Sequence, residues 1–152
     1  MELLTLAKRE GLHTLLDSNG SYDFSTDPEL MAVTDGVMLD VKAWNLSVHQ
    51  ALCNAGNDLV KANLDFLAQS GKLSEVRTVI TSDWGDPEET VRQVSLAIVP
   101  WQQQSRTRYK IIRYRPFGVR DVYKSIVPPT DQQLVALAEL ARTCGMADVV
   151  VT

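Results

Sequence analysis

The chain has 152 residues, 45% of them apolar and 22% charged, which suits one domain with a buried core and excludes a disordered tail or a disulfide scaffold. Its 15 Lys and Arg against 19 Asp and Glu give a net charge of −4, which disfavours a nucleic-acid backbone as partner. No apolar run approaches the ~18 residues that span a bilayer, and Met1-Glu2 does not open a leader, so a cytoplasmic protein without membrane contact is expected.

In chain order, a first strand is predicted over residues 12–17, running into the turn-forming Asp17-Ser18-Asn19-Gly20. A second, over 36–41, sorts Val37, Leu39 and Val41 onto one face and Met38, Asp40 and Lys42 onto the other. Val60, Leu64, Leu67 and Ala68 share a face of a helix over 58–70, and Gly71 stops it. A strand over 75–81 turns Val76, Thr78 and Ile80 toward helices, leaving Glu75, Arg77 and Val79 inward. Asp86-Pro87-Glu88-Glu89 supplies a cap, a first-turn proline and acids at the dipole's positive end for a helix over 87–99. A strand over 108–114 follows. Thr130 with Gln133 reads as a capping box for a helix over 131–143, with Gly145 as its left-handed stop, before a last strand over 148–151.

Five strands spaced by helices make right-handed βαβ units, so the fold class is α/β with a mostly parallel sheet, either open or part of a barrel. Ligands of both architectures bind at the strands' carboxyl ends.

Chemistry concentrates at those ends. Asp40 beside Lys42 on an interior face is costly unless paired, solvated or occupied by a ligand. Asp17, with Ser18 and Asn19, brings a second carboxylate to the neighbouring rim, and two such carboxylates suit an ammonium group or a cation. Arg77 extends the polar lining toward a ligand cavity. Between Arg106 and Lys124, bases alternate with tyrosines, but they spread over both strand faces. Arg113 and Arg115 therefore point to a small anion or to acid partners rather than to nucleic acid. His13 and His49 lack metal-ligand spacing and are expected to be structural. Cys53 and Cys144 lie far apart and form neither a disulfide framework nor a cluster ligand set.

Asp17-Ser18-Asn19-Gly20, Met38-Leu39-Asp40-Val41-Lys42-Ala43-Trp44, His49-Gln50, Val76-Arg77-Thr78-Val79-Ile80 and Tyr114-Arg115-Pro116-Phe117-Gly118-Val119-Arg120 together carry a family resemblance. Nearly the whole chain resembles the C-terminal portion of a radical SAM activating enzyme, of the kind that activates glycyl radical enzymes such as pyruvate formate-lyase. The resemblance implies a partial (β/α)6 TIM-like barrel, S-adenosylmethionine across its strand ends, and a [4Fe-4S] cluster whose reductive chemistry yields a glycyl radical on a partner enzyme. It places Asp17, Ser18, Asn19, Asp40, Lys42, Arg77 and Arg115 around S-adenosylmethionine. Asp17, Ser18, the Met38 backbone and Asp40 would serve a monovalent cation. The family often has a histidine in the loop where this chain offers Arg115 or Phe117.

The family's C-x3-C-x2-C cluster loop has no counterpart here, so the chain is expected to be a truncated form, inactive by itself and unable to hold the cluster in the family's manner. Exposed strand edges would then favour a homo-oligomer. Two alternatives stand beside this: a non-catalytic barrel-type module binding a small molecule or cation, and polar strand faces that are only buried salt bridges.

Overall fold

The computed structural model describes residues 1–82 and 85–152. Its centre is a sheet of five strands, all parallel: β1 (Leu15–Ser18), β2 (Gly36–Asp40), β3 (Leu73–Ile80), β4 (Arg108–Arg113) and β5 (Asp148–Val151). They lie side by side in chain order. Right-handed crossovers in that order put every connecting helix on the same face, as in a barrel wall and unlike a doubly wound sheet. The sheet has β1 at one edge and β5 at the other.

Among the described residues six α-helices accompany it: α1 (Glu2–Arg9), α2 (Pro28–Ala32), α3 (Leu46–Cys53), α4 (Asp58–Gln69), α5 (Pro87–Ile98) and α6 (Asp131–Thr143). The core lies between sheet and helices. Val37, Leu39, Val76 and Ile111 pack there with Leu64 and Leu67 of α4, Val91 and Val94 of α5, and Leu134 and Ala141 of α6. The expected facing of β2 and β3 holds: Val37, Leu39, Val41, Val76, Thr78 and Ile80 are buried, whereas Met38, Asp40, Lys42, Arg77 and Val79 are half-buried on the open face. One irregularity keeps those faces aligned. Val37 pairs with Leu73 but Met38 pairs with Glu75, so Ser74 is an extra residue on β3 opposite the β2 strand, and it shifts the parity of everything after it.

Sequence signals at helix ends act as drawn, with one difference. The Thr130 and Gln133 capping box forms in both directions, and Gly71 and Gly145 both take left-handed backbone after α4 and α6. Asp86 stands at the N-cap of α5, but its carboxylate accepts the Thr90 hydroxyl at 2.8 Å instead of a backbone N–H. The first strand begins at Leu15 rather than residue 12, because residues 12–14 are the return from α1. There Thr14 N–H donates to the Asp35 carboxylate at 2.8 Å. The residue pattern does not announce helices α1, α2 and α3. At eight, five and eight residues they are too short for a clear 3.6-residue period, and α1 has no buried residue. Among the described residues no helix is long and apolar enough to cross a membrane.

Candidate functional site

The open face of the sheet carries a line of charge that runs from the carboxyl ends of β1 and β2 to the amino ends of β4 and β5. On β2, Asp40 Oδ2 accepts from Lys42 Nζ at 2.7 Å. On β1, Asp17 stands in register with Met38, and on β3, Arg77 stands in register with Asp40. Arg77 bridges them: its Nη1 donates to Asp17 Oδ2 at 2.7 Å and its Nε to Glu75 Oε1 at 2.5 Å, while Nη2 lies 2.9 Å from Met38 Sδ. Glu75 Oε2 is 4.0 Å from Arg108 Nη1, and Arg108 Nε donates to Asp148 at 3.2 Å. Acid and base thus alternate across the sheet. Hydrogen bonding to Glu75 and then to Asp17 pushes the Arg77 guanidinium above its usual value, against an opposing desolvation effect. The Asp17 side chain is 61% exposed, that of Glu75 only 11% and that of Asp148 50%, so the line dips from water into the sheet and returns.

Ser18 has the other parity from Asp17, and its Oγ accepts from Gly20 N–H at 3.0 Å. Asn19 Oδ1 closes a similar turn on Ser21 N–H at 3.0 Å. Gly20 is needed in this turn: φ is +76°, and a Cβ there would meet Leu39 and Val60 at 3.1 Å. The structure therefore brings Asp17, Met38, Asp40, Lys42 and Arg77 onto one face, with Ser18 and Asn19 shaping the turn beside it. Arg115 is exposed in the loop after β4. Of the two outcomes considered for Arg113, an anion or an acid partner, the structure gives the acid. Arg113 shares the parity of buried Tyr109 and Ile111, and it donates to Pro129 O and Asp131 Oδ1 at the start of α6.

Two asparagines of the α4 region hold the rim in place. Asn63, 1% exposed, donates to Gly20 O at 3.0 Å and Tyr22 O at 2.6 Å and accepts from Phe24 N–H at 3.2 Å, fixing the exit from β1. Asn57 donates to Ala43 O at 3.1 Å and Trp44 O at 2.7 Å, fixing the exit from β2 just after Lys42. Sequence reasoning missed both. The available signal was Asn63 sitting three residues after Val60 on the otherwise apolar stripe of α4.

A mostly apolar cavity of about 230 Å³ opens beside Lys42 and is walled by Leu52, Val79, Tyr114, Tyr123 and Ile126. Tyr114 OH donates to Tyr123 O at 2.7 Å and folds the loop over it. A second cavity of about 250 Å³ lies between Asn19 and the end of α3, where His49 and Cys53 line it. His49 is 4% exposed, with Nδ1 3.0 Å from Ala55 O, which accounts for it structurally. Desolvation raises the Cys53 thiol, and the charge of nearby Lys42 opposes this. Cys53 ends α3 and Cys144 follows α6, and among the described residues no group of three or more His, Cys, Asp or Glu is assembled for a metal.

The fold and this face define an α/β protein of barrel-wall type with a charged strand-end rim. Comparison with solved structures gives a domain of the pyruvate-formate lyase-activating enzyme from Bacteroides vulgatus, with a TM-score of 0.81 over 99% of this chain and 88% of that one, at 15% identity. The shared α/β fold is therefore the expected one, and among the described residues β1 and β5 are not paired with each other. Among curated proteins, the pyruvate formate-lyase 1-activating enzyme of Escherichia coli K12 is 37% identical over 90 residues, 57% of this chain and 36% of that protein. The pyruvate formate-lyase-activating enzyme of Streptococcus mutans is 28% identical over 156 residues, 93% of this chain and 58% of that protein. No family model matches the chain. The resemblance drawn from the motifs thus holds, and the chain's curated homologues are activating enzymes, of whose length it spans 36% and 58% in these two cases.

Proposed function

We propose that the charged rim is the part of a glycyl-radical activating enzyme that binds S-adenosylmethionine, acting toward a pyruvate formate-lyase-like partner in a cytoplasmic setting. The observation that carries this is the alternation of Asp17, Arg77, Asp40 and Lys42 on one face at the strand ends. A methionyl group is a zwitterion. Its ammonium finds acceptors in Asp17 and Asp40, and its carboxylate finds donors in Lys42 and Arg77. Each of these side chains is already paired, so the groups are oriented before a ligand arrives and need only exchange one charged partner for another. The Asn19 turn borders the same rim, and this reading adds Arg115 of the loop after β4 to the ligand's surroundings. A monovalent cation held by Asp17, Ser18, the Met38 carbonyl and Asp40 is a second way for the rim to take positive charge.

The cluster is a different matter. Three closely spaced thiolates hold a [4Fe-4S] centre in the family's manner, and two cysteines at the ends of different helices do not fit it. No step through the cluster is assigned to these residues, and the isolated chain is expected to show no radical chemistry. The two edges of the sheet and the exposed Leu3 and Leu6 of α1 also favour self-association.

Calorimetric titration with S-adenosylmethionine tests the rim. Saturable heat in the wild type, weakened about tenfold or more in Asp40→Asn and Lys42→Met, is the expected result. Unchanged binding together with raised stability in those variants would make the pairs purely structural.

A further inference from the structure

Asp17, Arg77, Glu75, Arg108 and Asp148 form one alternating chain of ion pairs, with an acid at each end. Its three carboxylates meet two guanidinium groups, so these five groups sum to one negative charge, with Lys110 of β4 in register with Arg77 on the same face. Where that charge is expressed depends on Glu75. Its side chain is 11% exposed, and it makes the shortest contact in the chain, 2.5 Å to Arg77 Nε. Arg77 side-chain exposure is 19%, and its three nitrogens are all engaged, by Glu75, Asp17 and Met38. Glu75 itself sits on the rim's face because of the extra residue at Ser74. None of the motifs that suggested the site includes it.

We propose that Glu75 is a positioning residue that sets the charge of the rim. By taking the Nε side of Arg77, it fixes the guanidinium plane so that Nη1 reaches Asp17. By sharing the positive charge of Arg77, it leaves Asp17, the more exposed of the two ends and the one beside Asp40 and Lys42, as an acceptor for a cationic group of a ligand. Asp40 is compensated one-to-one by Lys42 and lacks this surplus. The rim is therefore asymmetric: the Asp17 end selects positive charge, and the Lys42 end takes the anion. The ligand half of this proposal rests on the S-adenosylmethionine reading; the positioning half does not.

Glu75→Gln keeps the size and an oxygen acceptor for Arg77 while removing the charge, and Glu75→Ala removes both. In calorimetry, Glu75→Gln is expected to weaken S-adenosylmethionine about fivefold, the scale of a partly exposed charge interaction. It should leave 5′-methylthioadenosine, which lacks the charged methionyl end, within about twofold. Glu75→Asp should recover part of the loss. Equal weakening of both ligands, or no weakening of S-adenosylmethionine, would overturn the charge-setting role. The Arg77 Nε–H resonance in nitrogen-edited NMR reads the positioning role without any ligand. It should persist in Glu75→Gln and be lost to exchange in Glu75→Ala, and an unchanged signal in Glu75→Ala would overturn that role. Should the wild type bind neither ligand, the S-adenosylmethionine reading fails and the charge-setting role falls with it, while the NMR result still decides the positioning role. Should Glu75→Ala not fold, Arg77 Nε–H exchange in Glu75→Gln decides instead: a rate unchanged from wild type supports positioning, and loss of the signal overturns it.

Discussion

Tyr109 shows how a single polar atom is accommodated under the sheet. It is fully buried, its hydroxyl lies 3.0 Å from Thr78 Oγ1, and Thr78 donates onward to Val41 O at 3.0 Å. Since the Thr78 hydrogen is committed to Val41, the Tyr109 hydroxyl is the donor to Thr78. Burial pushes its ionisation well above the usual tyrosine range. Tyr109→Phe removes one donor and strands no other buried group, so it is expected to cost about 1 kcal/mol in urea unfolding. Asp35 behaves differently. Hydrogen bonds from Lys8 and from Thr14 N–H hold its carboxyl far below the usual range. The unfolded chain takes up this proton first, near pH 4, so the contribution is complete at neutral pH and is lost as pH falls below about 4 toward the lower folded value. Urea midpoints followed from pH 7 to pH 3 should therefore drop more steeply in the wild type than in Asp35→Asn; parallel curves would show that Asp35 contributes nothing.

Among the elements, α4 does most to build the rim. Its apolar stripe buries Val60, Leu64, Leu67 and Ala68, and that much follows from spacing alone. Asn63 on the same stripe could have been read as a defect in the pattern. It is a tether: three hydrogen bonds satisfy backbone groups in the segment that follows Asp17. Asn63→Leu would fit the stripe but leave those groups unpaired, at a cost of roughly 2–4 kcal/mol. Amide exchange at Phe24 should quicken in a variant that stays folded, and retained protection there would show that the loop holds itself. The strands of the sheet and the helices α4, α5 and α6 were legible because period and caps agreed, as at Thr130 and Gln133. Helix α3 was not. Its start depends on Asn45 accepting from Ser47 and Val48 N–H, and eight residues give too few turns to expose a period.

For the whole molecule, sequential strand order is the defining feature, because it stacks the helices on one face and leaves the charged face uncovered. The two sheet edges, β1 and β5, and exposed Leu3, Leu6 and Leu15 predict self-association. Sedimentation velocity should show a species heavier than the 16.9 kDa chain, and a monomer across the concentration range would refute this. Which side chains share a strand face was settled by the sequence itself, since alternation is a local property of extended backbone: Asp40 with Lys42, and Glu75 with Arg77, could be placed together before any coordinates. The partner of each charge could not. Pairing of Arg77 with Asp17, sixty positions away, and of Arg113 with Asp131 depends on strand register, on the extra residue at Ser74 and on how α6 meets the sheet. Those are fixed only when distant segments pack, because an ion pair forms across space and leaves no period in the chain.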